Sequence, residues 1–252
     1  VISVIAVDAS KLQGLLPAGY DLVPASAVGF GQPSQGIVVV GNFRGIDYFV
    51  DRRTNVHEQV AIDVVALVNQ PSQASGAGLD IPGAFHVYAL TIYTNDAQYA
   101  GSFYRTGFPV EYVSKIEYHR GMNDATGVGS LSINVPSKLS PFSTVSAGQG
   151  YARTSGAFNT VFWHDSGKGK TVLHFFDQPF SQGTAISQIY TLPGSKWDNL
   201  FDGGGLGPCA PQAGTGYHCI TAPALNMRYD EGTRGTLMLI REDDPFRFRK
   251  VP

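Results

Sequence analysis

The chain has 252 residues, 43% of them hydrophobic and 15% charged, with a formal net charge of −2. That balance describes a globular chain with ample material for a core, and it excludes a disordered one. No basic stripe exists beyond the closing Arg-Phe-Arg-Lys, so nucleic acid is not expected as a partner. Low charge, 30 glycines, 12 tyrosines and 15 phenylalanines lean towards an all-β protein.

In chain order, VISVIAV reads as a first strand. An Asp-led short helix follows, with Leu12, Leu15 and Leu16 at helical spacing and Pro17 as its end. IVVVGNFRGIDYFV reads as a strand or hairpin bent at Gly41 and Gly45, and VAIDVVALV as a strand rich in β-branched residues. QPSQASGAGLDIPG is a loop by composition. FHVYALTIYT is the cleanest strand. VGSLSINVP, NTVFWHDS, KTVLHFF, AISQIYTL and GTLMLIRE follow as further strands. The expectation is one domain over 1–252, mostly β and antiparallel, with one or two short helices.

The two cysteines, Cys209 and Cys219, bracket a Gly- and Pro-rich stretch suited to a short disulfide-closed loop. The first residue is Val1, not Met. A removed leader accounts for both facts and points to a secreted or periplasmic protein; trimming accounts for the start alone. No apolar run is long enough to span a membrane.

Several motifs fail. Gly169-Lys170-Thr171 lacks the glycine of a phosphate loop, since His164 stands at that position and a strand follows. His57-Glu58 lacks the second zinc-binding histidine, since Ala61 stands there, and no G-x-S-x-G occurs. His164 and His174 flank an expected turn and, with Asp165 or Asp177, are candidates for a metal site. Their plainer reading is as core and surface histidines. No cofactor and no metal is expected.

Three segments in order carry a resemblance. They are VISVIAVDASKLQGLLPAGYDLVP, NVHEQVAIDVVALVNQP, and FHVYALTIYTNDAQYAGSFYRTGFPVEYVSKIEY. The last has a strand ending in Thr-Asn-Asp, a small-residue turn at Ala100-Gly101, and Phe108-Pro109 before another strand. Together they resemble the acetoacetate decarboxylase superfamily over roughly the first half of the chain. The resemblance implies an antiparallel barrel-like fold around an apolar cavity, usually in an oligomer, and a small-molecule substrate.

The departure from that family is chemical. Its aromatic-Pro pair is followed by two lysines, one of which forms a Schiff base with the substrate ketone. An apolar pocket and the adjacent cation lower the pKa of that lysine and so activate it. Here Val110-Glu111 follows, and neither residue forms an imine. Lys115 would lie about 13 Å further along an extended strand, too far to substitute. The resemblance aligns Glu58 with the family's acid before the apolar strand. Glu58 and Glu111 are therefore the candidate catalytic pair, two carboxylates whose burial and like charge would separate an acid from a base. Arg105, Tyr104, His57 and Phe108 are the candidates for binding substrate. The first functional reading is an exported enzyme acting on a carbonyl or organic acid by carboxylate chemistry. The second is a barrel that binds a small ligand without chemistry, and the third a hydrolase or metal site at His164 and His174.

Overall fold

The computed structural model describes the backbone of residues 1–50, 54–138, 141–166, 169–202, 204–209, 216–229, 235–241 and 244–250. Side chains at 46–50, 54–58, 153–158, 176–179, 229, 235–241 and 244–250 lie outside the description. β1 (Ile2–Asp8) runs directly into α1 (Ala9–Gln13). The Asp8 carboxylate caps this helix, accepting from the N–H of Ser10 at 2.8 Å and of Lys11 at 3.0 Å. The helix stops at Gly14, short of Pro17, so only Leu12 of the three leucines is buried within it.

β2 (Gln35–Val50) is one uninterrupted strand paired along β3 (Thr54–Val68). Gly41 is not a bend. A side chain there would collide with the Phe43 ring, 2.5 Å from where its Cβ would stand. The expected loop before β4 (Phe85–Thr94) contains one helical turn, α2 (Gln73–Gly76). The expected small-residue turn at Ala100-Gly101 is instead the middle of α3 (Ala97–Tyr104), capped by Asp96, whose carboxylate accepts from Tyr99 N–H at 2.6 Å.

The chain continues through β5 (Val110–Tyr112), β6 (Glu117–Arg120), β7 (Val128–Val135), β8 (Phe142–Gln149), β9 (Ala152–Ser166) and β10 (Gly169–Thr191). After α4 (Lys196–Phe201) come β11 (Gly207–Pro208), β12 (His218–Tyr229), β13 (Gly235–Arg241) and β14 (Asp244–Lys250). KTVLHFF and AISQIYTL, read as two strands, are the two ends of β10. It passes two register shifts against β9, between Phe175 and Gln178 and between Pro179 and Ser181.

The described strands form one sheet, ordered β11-β12-β1-β2-β3-β4-β9-β10-β8-β7-β6. Because β12 also pairs with β10, the ring from β12 through β1, β2, β3, β4, β9 and β10 closes. All neighbours are antiparallel except β4 with β5 and β4 with β9. The fold is thus mostly β and mostly antiparallel, as expected.

Strand side chains alternate between two faces, and here both are buried. Val38, Val40, Ile62, Val64, Tyr93, Trp163, Val172, Ile189 and Trp197 belong to the inner cluster. Ile37, Val65, Ala89, Ile92, Phe162 and Leu173 belong to an outer cluster with Ala100, Phe103 and Phe108. Helix α3 packs on β2, β3 and β4 on that outer side.

Cys209 and Cys219 are joined in a disulfide that fastens the end of β11 to β12, as expected. A bridge of this kind fits an oxidising compartment. Cys219→Ser is expected to lower the unfolding free energy by about 2–3 kcal/mol. Urea unfolding of wild type and variant, each with and without reductant, measures this. Equal midpoints for all four samples would refute it. No helix among the described residues is long and apolar enough to cross a membrane.

Candidate functional site

The inner-face positions of five adjacent strands align in one row. Val1 pairs through its backbone with Asn42 on β2, Asn42 with Ile62 on β3, Ile62 with Tyr93 on β4, and Tyr93 with Glu111 on β5. Parity places these side chains on the face of Val40, Val64 and Val113, all in the inner cluster. A row of aliphatic and aromatic groups therefore ends in a carboxylate and contains one amide.

The Phe108-Pro109 break sets up this arrangement. Gly107, at φ 78°, turns the chain after α3, and Phe108 anchors it outward against Phe103 at 5.4 Å and His164 at 5.9 Å. β5 then runs parallel to β4, with Val110 outward and Glu111 inward. Ser137 Oγ donates to Glu111 Oε1 at 2.8 Å and fixes the carboxylate. Beside it, the Tyr93 hydroxyl accepts from Trp197 Nε1 at 2.8 Å, which leaves its own proton to donate elsewhere. Burial holds the Tyr93 pKa above the ordinary tyrosine value; Glu111's charge adds to this and the Trp197 bond opposes it. A carboxylate that can take a proton and a phenol that can give a hydrogen bond thus stand on neighbouring strands.

Trp197 is fully buried, with Leu200 and Phe201 behind it, so the start of the Gly-rich segment Trp197 to Cys209 is part of the inner core. Asn42 is 3% exposed, and neither its Oδ1 nor its Nδ2 has a hydrogen-bond partner. Two residues further along β2, Arg44 occupies the same face at the rim, its guanidinium 5.9 Å from the Tyr118 ring centre.

Of the residues expected at the site, Glu111 takes a place on the inner face. Glu58 and His57 lie on β3, with Glu58 paired to Ile46, but their side chains lie outside the described residues. Tyr104 is 53% exposed at the end of α3, where its hydroxyl accepts from Tyr112 N–H at 3.4 Å. Arg105 is exposed at the C-terminal cap of the same helix, and Phe108 lies in the outer cluster. These three therefore share the outer layer and are not brought to Glu111. Lys115 is exposed in the turn between β5 and β6, which replaces the extended run assumed for it. Asn42, Tyr93, Ser137 and Trp197 carry no local sequence motif that marks them; the one signal for Asn42 is a lone amide after a run of valines.

His164 and His174 do not face each other. His164 pairs with Thr171 and His174 with Val161, and their parities put them on opposite faces of the β9–β10 hairpin. His164 Nδ1 lies 3.0 Å from Ala89 O, and burial lowers its pKa against the opposing effects of that bond and of Asp165. Asp165 is engaged separately, accepting from Tyr20 Oη at 2.6 Å and from Lys170 Nζ at 2.8 Å. The Asp177 side chain lies outside the described residues. Among the described residues no group of three or more His, Cys, Asp or Glu gathers as a metal site.

No family model matches the sequence, and no curated protein matches it either. Solved structures do match in shape. The enduracididine biosynthesis enzyme MppR, complexed with pyruvate, superposes at a TM-score of 0.51 and 9% identity, covering 100% of this chain and 88% of that one. The same enzyme with the condensation product of pyruvate and imidazole 4-carboxaldehyde gives 0.51 and 9%, over 99% and 87%. A structure of acetoacetate decarboxylase gives a TM-score of 0.52 at 8% identity, over 90% of this chain and 84% of that one. Across nearly its whole length, then, this closed and mostly antiparallel barrel has the acetoacetate decarboxylase-like fold.

Proposed function

We propose that this protein is an enzyme that takes a small carbonyl-bearing organic acid on the inner face of its barrel. There Glu111 moves a proton next to the carbonyl, without a Schiff base. The observation that carries the reading is Glu111 itself: a carboxylate held by Ser137, set inward beside the Tyr93 phenol, at the strand that follows the Phe-Pro bend. The likeness in fold to an enzyme complexed with pyruvate supports a keto acid as the substrate class. Tyr93 would donate to the carbonyl oxygen while Glu111 takes or returns the proton on the adjacent carbon. Arg44, at the inner rim, is the group that would receive the substrate carboxylate, in place of the outward Arg105. Glu58 remains the proposed second carboxylate.

Four of the described lysines favour a route without an imine: Lys11, Lys115 and Lys138 are exposed, and Lys170 is bound to Asp165. Lys196 lies 4.4 Å from the centre of the Trp197 ring and burial lowers its pKa, so it is the lysine to which a borohydride adduct would point. The disulfide supports export, and a homo-oligomer is the assembly proposed from the resemblance.

The test incubates purified protein with small 2-, 3- and 4-keto acids, with and without borohydride, and reads products and intact protein mass together. Turnover or solvent deuterium exchange next to the carbonyl, without a trapped adduct, is expected. A borohydride-trapped adduct would transfer the chemistry to a lysine. Absence of exchange, turnover and adduct alike would leave a barrel that binds ligand without chemistry.

A further inference from the structure

The amide of Asn42 has a chemical specificity that nothing else in the row shares. It is 3% exposed and sits between Val1 and Ile62, which offer it only apolar side chains. Both its Oδ1 and its Nδ2 lack a partner, so the conclusion is the same whichever way the amide is turned. No neighbouring polar group is bonded to it: Tyr93 Oη takes the Trp197 N–H, Ser137 holds Glu111, and the Val1 amino group donates to the backbone carbonyl of Asn42, not to its side chain. Asn226, on the strand flanking Val1, donates to Gly127 O at 2.7 Å. Along the same wall, Ser3, Ser187 and Ser146 bond to one another at 2.8 Å and close off that layer of the barrel. Asn42 is thus a nearly fully buried side chain, aimed inward, with an unmet donor and an unmet acceptor. Burial of such a group is unfavourable until both are answered.

From this we infer that Asn42 is a specificity residue, and that the natural ligand carries a hydrogen-bond donor and an acceptor side by side, as a carboxamide, ureido or lactam group does. A ketone or a carboxylate accepts from Nδ2 but donates nothing to Oδ1, so either would leave half of the amide unanswered. An amide-bearing organic acid answers both halves in one planar contact. Its carboxylate would lie towards Arg44, and the carbon next to its carbonyl towards Glu111. The inference rests on the proposed inner-face ligand site and deepens it by naming the polar group of the substrate.

Two probes of the same shape separate the possibilities. Succinamate and levulinate differ in carrying an amide NH2 or a methyl group on the carbonyl. Calorimetric titration of wild type is expected to give succinamate at least ~10-fold tighter binding, the penalty expected when a site built for a donor–acceptor pair meets an analogue lacking one partner. Asn42→Leu should remove that preference and bring the two probes within about threefold of each other, whatever levulinate itself loses with the Nδ2 contact. The wild-type ratio needs no variant, so a misfolded Asn42→Leu would not shield the inference. Equal affinities in wild type, or a preference that survives Asn42→Leu, would overturn the role of Asn42 and leave the Glu111 reading standing. No binding of either probe would overturn the inner-face ligand site itself, and this inference with it.

Discussion

Asp63→Asn is expected to make the protein more stable at pH 8 and to leave it unchanged near pH 3.5. Asp63 lies in β3 with its side chain on the outer face, in a row with Ile2, Gly41, Ile92 and Val110. It is 7% exposed, and its Oδ1 has no hydrogen-bond partner. Burial alone raises its pKa from 3.8 to about 7. Below pH 3.8 both folded and unfolded chains hold the proton, so the group costs nothing. Between that value and about pH 7 only the folded chain holds it, so stability falls as pH rises. Above about pH 7 the cost is complete, on the order of 4 kcal/mol by linkage. Asparagine has the same shape and no charge to bury, so the difference between variant and wild type should open above about pH 4 and be complete near pH 7, while other groups, the buried Val1 amino group among them, act on both curves alike. Urea unfolding from pH 3.5 to 8.5 reads this directly. Parallel curves for the two proteins would show that Asp63 is not the isolated buried acid that the geometry describes.

That same residue shows what a sequence of this kind hides. VAIDVVALV was legible as a strand because its β-branched residues fill both faces of a sheet buried on both sides. A single Asp within it looks the same whether it faces solvent or core. FHVYALTIYT matched β4 from end to end, since a long run of Tyr, Val, Ile and Thr bounded by turn residues has few other readings. β10 reads as two strands because Pro179 and Gly183 interrupt its pattern, and only the register shifts against β9 show how the strand continues. Helix α3 is hidden in the sequence although Asp96 stands at its cap: eight residues with Gly101 and three aromatics carry little helical signal. Its presence moves Arg105 and Tyr104 to the outside, while Glu111, just past the helix-terminating Gly107-Phe108-Pro109, returns to the inside. The fold class can be read locally; the inward place of Glu111 comes only as an implication of the family resemblance. The other members of the row, Asn42 and Tyr93, become neighbours of Glu111 only through pairing across four strands, which no local pattern encodes.

With a keto acid that the protein turns over, Glu111→Gln is expected to lower kcat by about 10²–10⁴-fold with little change in KM, the usual loss when a positioned general base is removed. Glutamine keeps an oxygen for the Ser137 hydroxyl, 2.8 Å from the carboxylate in the native protein, so the inner wall should hold its shape. What is lost is the proton acceptor and the negative charge beside Tyr93. Glu111→Gln should therefore fold with a melting temperature near that of wild type and still bind the substrate. Ser137→Ala should act through Glu111 alone: it frees the carboxylate to rotate, and should cost roughly tenfold in kcat, an effect of the size of one hydrogen bond to a charged group. If both variants are made together, the loss should equal that of Glu111→Gln, because there is then no base left to position. Additive losses would mean that Ser137 meets the substrate itself. Unchanged turnover in Glu111→Gln, with melting preserved, would remove Glu111 from the chemistry and leave Glu58 as the carboxylate to test.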